Sequence, residues 1–268
     1  MKRKSRILLI FLMLLLFLAG LGITLYPRFQ GASVDASIGQ DVESFYEWLE
    51  EIPPSTEETV PGETAPAEVM RYPELLGAMQ SYNATLFEEE QAGLKDPWSY
   101  TQPSFSLKDY GLDSEIFGVI SIPKLNLEMP LYLGATTQHL AAGAAHLSQT
   151  SLPIGGNNTN CVIAGHRGYN GATYFRYITD LQPGDKVIIT NIWETLTYEV
   201  CEIKIIKPYE VNEIHIQEGR DLLTLLTCHP MAAVGSTATL CFVSAHHNHT
   251  QVKPESNAGF TPLGRRIP

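Results

Sequence analysis

Two residues with complementary chemistry each follow a short apolar run. Cys228 ends the run Leu223-Thr-Leu-Leu-Thr-Cys, and His166 lies between glycines in Ala164-Gly-His-Arg-Gly. A thiol near its usual pKa of about 8.5 is only a few per cent thiolate at neutral pH, and a nearby imidazole is its usual activator. The glycines leave room for a substrate backbone. These residue types predict nucleophilic catalysis, although a core cysteine and a structural histidine would look the same.

The remaining cysteines give little support to other kinds of cysteine chemistry. Cys161, Cys201, Cys228 and Cys241 form no Cys-x-x-Cys pair, which disfavours a zinc site or a thioredoxin-like site. Disulfides are compatible with these spacings but are not required by them. The net charge of −11 argues against nucleic acid as a partner, because phosphate binding needs a basic surface.

The segments that carry both residues belong to a series of short β runs separated by turns. This pattern predicts a mostly β fold, either a closed barrel or a sandwich. The predicted strands span 117–122, 129–132, 161–164, 186–190, 196–207, 222–227 and 239–243. Short helical stretches are predicted near 138–142 and 174–181. A strand end beside a loop presents a side chain on a rigid scaffold, as both candidate residues require.

The N-terminal segment, residues 1–28, predicts a membrane anchor. Basic residues precede an apolar run over 7–26. Twenty helical residues span about 30 Å, the hydrocarbon thickness of a bilayer. A basic flank stays in the cytoplasm, so the chain after residue 26 is predicted to lie outside the cell. A cleaved signal peptide is the alternative, but the run is long and no clear Ala-x-Ala site ends it.

Two segments separate the anchor from the predicted barrel. Residues 29–68 are rich in proline and acids, which predicts an extended stalk without a core. Residues 69–114 begin with a predicted helix over 73–90 that carries an apolar stripe. The barrel is assigned to 115–243, and 244–268 lacks periodicity and predicts a disordered tail.

The exact residues of these motifs resemble the sortase family. The similarity rests on Thr-Leu-Leu-Thr-Cys228 and on Gly165-His-Arg-Gly168, and it covers about residues 115–230. It includes Gly118-Val-Ile-Ser-Ile-Pro-Lys-Leu, Gly143-Ala-Ala-His146 and Thr150-Ser-Leu-Pro-Ile-Gly-Gly156. The segment Lys95-Asp-Pro-Trp98 is similar to the lid motif of the class C, pilus-assembling branch.

The resemblance implies an eight-stranded β-barrel with short helices, preceded by a transmembrane helix and a lid segment. It also implies an extracellular cysteine transpeptidase. Cys228 would attack the Thr–Gly bond of an LPxTG-type sorting signal and hold the acyl group as a thioester, and His166 would protonate the leaving amine. A pilin lysine or a cell-wall amine would resolve the thioester, and Asp96 and Trp98 would cover the empty site. The implied enzyme is a monomer that needs no metal or organic cofactor.

One position departs from the family pattern. The family's third catalytic residue is an arginine about nine to twelve positions after the cysteine, where it stabilises the oxyanion. Residues 229–252 contain neither lysine nor arginine. Reading the gene one base earlier from Met231 permits an arginine at the codon of Ala238, so a frameshift near Pro230 is one hypothesis, with residues 231–268 then lying outside the family's sequence.

Two alternatives to a pilin-polymerising enzyme stay open. The first is a sortase that anchors proteins to peptidoglycan, and the lid motif favours the pilin branch over it. The second is a pseudo-enzyme that binds sorting signals without turnover, and the missing arginine favours this reading.

Overall fold

The computed structural model describes residues 3–51, 71–94, 105–207, 210–228 and 240–247. The helices in these ranges are α1 Arg3–Glu51, α2 Pro73–Glu88 and α3 Thr137–Ala142. The strands are β1 Ile116–Ile122, β2 Leu127–Leu133, β3 Ala144–His146, β4 Thr159–Ala164, β5 Lys186–Asn191, β6 Thr195–Ile206, β7 Asp221–Cys228 and β8 Leu240–His247. Short 3-10 helices span Leu107–Tyr110, Pro123–Leu125, Ile178–Asp180 and Val211–Ile214.

The eight strands within the described ranges close into a barrel in the order β1-β2-β3-β4-β7-β8-β6-β5, with β5 paired back to β1. Most neighbouring strands are antiparallel, whereas β2–β3 and β4–β7 are parallel. Closure pairs the edge strands that an open sheet would leave exposed. The predicted mostly β, eight-stranded barrel is therefore confirmed. The sequence pattern missed β3, which is only three residues long.

The strands of the candidate site are packed on both faces. Cys161, Ile163, Leu223 and Leu225 of β4 and β7 belong to the main core cluster. Val162 and Leu226 pack on the other side, in a cluster that includes Ile214 of the 3-10 helix Val211–Ile214. Strands covered on both faces read as continuous apolar runs, which explains why the sequence leading to Cys228 shows so little alternation.

Helix α1 is much longer than the predicted anchor. It continues without a break through Glu51, so residues 29–51 are helical and the predicted stalk is wrong for this part of the chain. Ile38, Val42 and Phe45 recur at helical spacing and are buried against the barrel. The acidic composition of the segment hid this stripe, because three buried side chains are enough to dock a helix whose other faces stay in water.

Helix α2 packs against the barrel near the loop after β3. Leu75 and Met79 are fully buried in the main core. The buried amide of Asn83 accepts a hydrogen bond from the Leu152 N–H at 2.7 Å and donates one to the Leu152 carbonyl at 3.4 Å. The predicted helix over 73–90 thus matches α2 within two residues at its end.

Strand β8 lies between β7 and β6 and completes the barrel beside Cys228. Leu240 pairs with Cys228, and His246 pairs with Leu222. The strand continues to His247, so residues 244–247, which the sequence pattern assigns to a disordered tail, form its last part. The pattern expects an arginine at one of positions 237–240. Position 240 is Leu240, and positions 237–239 lie outside the described residues.

Candidate active site

Two adjacent parallel strands bring the predicted site residues to the same end of the barrel. β4 and β7 run side by side with Ala164 opposite Leu226. The Gly165 N–H continues the ladder by donating to the Leu226 carbonyl at 3.0 Å. His166 and Cys228 each lie two residues beyond the Ala164–Leu226 pair, so both lie at the same end of the barrel. This register explains how residues so far apart in sequence share a site.

The two threonines of the Thr-Leu-Leu-Thr-Cys228 motif tie β7 to β4 from within. The Thr227 hydroxyl donates to the Gly165 carbonyl at 2.8 Å. The Thr224 hydroxyl donates to the Asn160 Oδ1 at 2.9 Å. Both threonines are fully buried, so each hydroxyl needs a partner within the protein. These bonds lock the strand ends together and hold the two site residues on a rigid base.

Cys228 is exposed, whereas the other seven residues of β7 are buried. Surrounding protein groups still displace part of the water around its sulfur, and this desolvation raises the pKa of the Cys228 thiol. The positive charge of Arg167 acts in the opposite direction and lowers that pKa. Because desolvation is the larger effect, the resting thiol keeps its proton at neutral pH.

The imidazole of His166 lies between two tyrosine rings. It stacks on Tyr169 with ring centres 4.7 Å apart and an interplanar angle of 17°. Tyr174 meets the same imidazole edge-on at 6.0 Å. Burial by its surroundings lowers the pKa of His166. The imidazole is therefore neutral at neutral pH and able to accept a proton.

A tight turn holds Tyr169 over the histidine. Tyr169 and Ala172 exchange two backbone hydrogen bonds, of 3.2 and 2.9 Å. The two residues between them, Asn170 and Gly171, have φ of 49° and 87°. Positive φ at both central positions defines a type I′ turn, for which Asn-Gly is the preferred sequence. The motif Tyr-Asn-Gly that follows Arg167-Gly168 thus encodes the turn.

Arg167 lies within the Gly165-His-Arg-Gly168 motif, but the sequence pattern assigns it no role of its own. It directly follows His166, and its charge reaches the Cys228 thiol. Its buried Nη1 has no hydrogen-bond partner among the residues that the structure describes. A guanidinium with an unused donor near a nucleophile can bind a developing negative charge.

His166 and Cys228 lie at the same end of the barrel, but no hydrogen bond joins their side chains within the described part of the chain. Catalytic hydrogen bonds are often long or absent before substrate binds. Asp96 and Trp98, the predicted lid residues, lie outside the described residues. Among the residues that the structure describes, no group of three or more His, Cys, Asp or Glu side chains is placed to hold a metal ion.

Several known proteins are similar to this chain. A family model described as a sortase domain matches residues 120–247. Sortase A of Bacillus anthracis is 30% identical over 146 residues, which cover 53% of this chain and 67% of that protein. A solved structure of Sortase C1 of GBS Pilus Island 1 matches with a TM-score of 0.63 at 27% identity, and the match covers 78% of this chain and 98% of that chain.

A second solved structure is a lid mutant of Streptococcus agalactiae Sortase C1, with a TM-score of 0.57 at 28% identity. The match covers 66% of this chain and 88% of that chain. The family match and strand β8 both extend beyond Met231 to residue 247. This extent disagrees with the hypothesis that the family's sequence ends near Pro230.

Proposed function

Because this chain belongs to the sortase family, we propose that it is an extracellular cysteine transpeptidase that cleaves LPxTG-type sorting signals. The observation that carries the proposal is the placement of His166 and Cys228 beyond one pair of residues on two parallel strands. That arrangement supports the roles of nucleophile and proton carrier for two residues at one end of a rigid barrel. The acyl group is then passed to an amine on a pilin or on the cell wall.

The first half of the reaction uses the thiol and the imidazole as a pair. As substrate binds, the Cys228 proton passes to the neutral His166, and the sulfur attacks the threonine carbonyl carbon. The Thr–Gly bond breaks, and His166 returns the proton to the departing glycine amine. The product is a thioester between Cys228 and the threonine acyl group.

The second half reverses these roles. An incoming amine attacks the thioester carbonyl and loses a proton to His166, and the sulfur departs and is reprotonated. A lysine side chain of a pilin subunit and an amine of a peptidoglycan cross-bridge are the two candidate acceptors. Pilin polymerisation is favoured by the Asp96 and Trp98 motif, which is similar to the lid of the pilus-assembling branch.

Arg167 is our candidate for the cation that stabilises negative charge during both steps. Its effect on the Cys228 pKa and its buried, unpartnered Nη1 support this assignment. It would supply part of what the family's arginine supplies, since residues 229–252 contain no basic side chain. A preorganised donor at the oxyanion contributes on the order of 10²–10³ in rate.

We also propose that the N-terminal part of α1 anchors the enzyme in the membrane with the barrel outside the cell. Within the described residues, α1 alone is long and apolar enough to cross a bilayer, and its most apolar stretch has a mean hydropathy of 2.5. None of that stretch is buried by the barrel. The basic residues before it favour a cytoplasmic N-terminus.

A pseudo-enzyme that binds sorting signals without turnover is the second candidate function. The absence of lysine and arginine from residues 229–252 favours it. In this case a labelled LPxTG peptide would bind to the barrel, but neither cleavage nor amine transfer would follow.

Peptide turnover by the full-length protein separates these candidates. A fluorogenic LPxTG peptide is supplied with either a lysine-bearing pilin peptide or a cross-bridge peptide as acceptor. We expect cleavage and joining to the pilin peptide, and loss of both in Cys228→Ala and His166→Ala. Cys201→Ala is the matched control, because Cys201 is a partly exposed cysteine on another strand. Peptide binding without cleavage would reject the enzyme in favour of the pseudo-enzyme.

A further inference from the structure

Just beyond its apolar run, helix α1 contacts the 169–172 turn that carries Tyr169. Its Gly31 lies against Gly171 at the tip of the 169–172 turn. A Cβ atom added at Gly31 would lie 2.6 Å from the Gly171 carbonyl carbon, closer than real side chains approach a backbone. A Cβ at Gly171 would in turn meet the Pro27 carbonyl oxygen. Only a pair of glycines permits the helix and the turn to approach so closely.

Two further contacts hold the helix in this position. Desolvation raises the pKa of the Asp35 carboxyl, one helical turn after Gly31, and the nearby backbone N–H of Thr173 lowers it by a smaller amount. Further along the helix, Ile38, Val42 and Phe45 are buried against the barrel. The helix therefore contacts the turn at Gly171, next to Thr173, and is itself packed against the barrel.

The turn transmits this contact to the catalytic histidine. Tyr169 begins the turn, and its ring is stacked on the His166 imidazole. The Phe175 N–H, just beyond the turn, donates to the His166 carbonyl at 2.9 Å. A displacement of the turn would move the Tyr169 ring relative to His166, because Tyr169 is itself the first residue of the turn.

The same contact sets the distance between the loop and the bilayer. Gly31 lies five residues after the end of the apolar run, a rise of about 7.5 Å along a helix. Tyr26 and Phe29 project from this part of α1 with 64% and 72% of their surface exposed, and Arg28 lies between them. Exposed aromatics next to a spanning segment mark the level of the lipid headgroups.

We propose that α1 seats the 169–172 turn at the headgroup surface of the membrane and, through Tyr169, positions the His166 imidazole. Gly31 and Tyr169 are positioning residues in this arrangement, and the partner of the turn is a lipid surface. The proposal rests on the membrane anchoring and the catalytic role of His166 proposed above. An acyl donor tethered in the same membrane would then meet the active site without leaving the bilayer surface.

Two glycines of α1 provide a matched test of the positioning role. Gly31 contacts the turn, whereas Gly39 has no atom within 4 Å of the position that a Cβ would take. Alanine at either site raises helix propensity by the same intrinsic amount. Full-length Gly31→Ala and Gly39→Ala are compared in nanodiscs of phosphatidylglycerol and phosphatidylethanolamine, with melting curves to confirm that both fold.

We expect Gly31→Ala to lower kcat about 10- to 100-fold with little change in KM, the scale for a catalytic group displaced by about 1 Å. Loss of the Tyr169 cover also moves the acidic limb of the kcat/KM profile to higher pH, because a hydrated His166 regains its ordinary pKa. Tyr169→Ala should reproduce both changes, and Tyr169→Phe, which keeps the stacked ring, should rescue them. Equal kinetics and pH profiles for Gly31→Ala and Gly39→Ala refute the positioning role.

Nitroxide accessibility tests the membrane position without requiring activity. A label is attached through Asn170→Cys or through Glu218→Cys, in chains whose four native cysteines are alanine. Residue 218 lies just before the first residue of β7, whereas Cys228 is the last residue of that strand. We expect the label at 170 to collide more with oxygen and less with an aqueous nickel complex than the label at 218. Equal, fully aqueous accessibility would overturn the proposal, whereas a parent protein that never cleaves peptide would refute only the proposed function.

Discussion

Arg167 and Cys228 are electrostatically linked across the parallel strands β4 and β7. The guanidinium lowers the pKa of the thiol, while desolvation raises it by more. The link joins the residue after the proposed catalytic histidine to the end of the strand that carries the proposed nucleophile. Arg167 is therefore our candidate for the group that favours thiolate formation at Cys228.

Replacing Arg167 by glutamine should raise the pKa of Cys228 further, because the thiolate loses its nearby cation. The pH dependence of Cys228 alkylation should shift to higher pH, with slower alkylation at pH 7. Arg167→Lys should retain most of the effect, because it keeps the charge. Arg220→Gln, at the start of β7 and far along the strand from Cys228, is the control. A profile unaltered in Arg167→Gln would remove Arg167 from the active site.

An arginine at position 238 should accelerate turnover. The family pattern expects an arginine about ten positions after the nucleophile, and residue 238 comes two positions before Leu240, the partner of Cys228. We expect Ala238→Arg to raise kcat by on the order of 10²–10³ if an oxyanion donor is missing. Ala238→Gln, similar in length but uncharged, should change kcat little. No gain in Ala238→Arg would mean that the oxyanion is already stabilised, with Arg167 as the candidate.

Thr227→Val should uncouple the ends of β4 and β7. It removes the hydroxyl that donates to the Gly165 carbonyl and leaves that buried acceptor without its side-chain partner. We expect a loss of about 1–3 kcal/mol in the free energy of unfolding, measured by urea denaturation. Thr197→Val on β6, where the side chain is only partly buried, should change stability by much less. Equal stabilities of the two variants would show that the Thr227 bond contributes little.

His146 should make the barrel less stable in mild acid. Burial lowers its pKa to about 4, although the backbone at Thr150 and Ser151 favours the charged form. Above pH 6.5 the residue is neutral in both folded and unfolded chains. Between pH 6.5 and pH 4 the unfolded chain binds a proton that the folded chain does not, so stability falls, by about 3 kcal/mol in full.

His146→Gln tests this origin of the pH dependence, because glutamine does not titrate. Urea unfolding at several pH values between 4 and 7.5 should show a shallower loss of stability in the variant than in the parent. An identical slope in both proteins would assign the acid sensitivity to other residues.

Much of the barrel could be predicted from the sequence, because its longer strands carry apolar runs bounded by turns. β3 escaped prediction because three residues are too few to show a period. The helical extension of α1 to Glu51 escaped for a different reason. Its average composition is acidic, and the docking stripe of Ile38, Val42 and Phe45 is visible only when residues are read at helical spacing.

The candidate site could likewise be predicted only in part from the sequence. His166 and Cys228 could be proposed from their residue types and motifs, and the strand register explains why they lie at the same end of the barrel. The Tyr169 stack depends on a two-residue turn, and the influence of Arg167 on Cys228 depends on the pairing of distant strands. The contact between Gly31 and Gly171 joins two segments with no sequence relationship, so only the folded arrangement reveals it.

Intact-protein mass spectrometry tests the thioester intermediate most directly. The full-length protein is mixed with an LPxTG peptide without an added amine, the reaction is quenched in acid, and the intact mass is measured. Cys228→Ala and Cys201→Ala are treated in the same way. We expect the parent and Cys201→Ala to gain the mass of the acyl fragment up to threonine, and to lose this mass on treatment with hydroxylamine. Cys228→Ala should gain no mass. An adduct that persists in Cys228→Ala, or peptide cleavage by the parent with no adduct at any time, would contradict a Cys228 thioester.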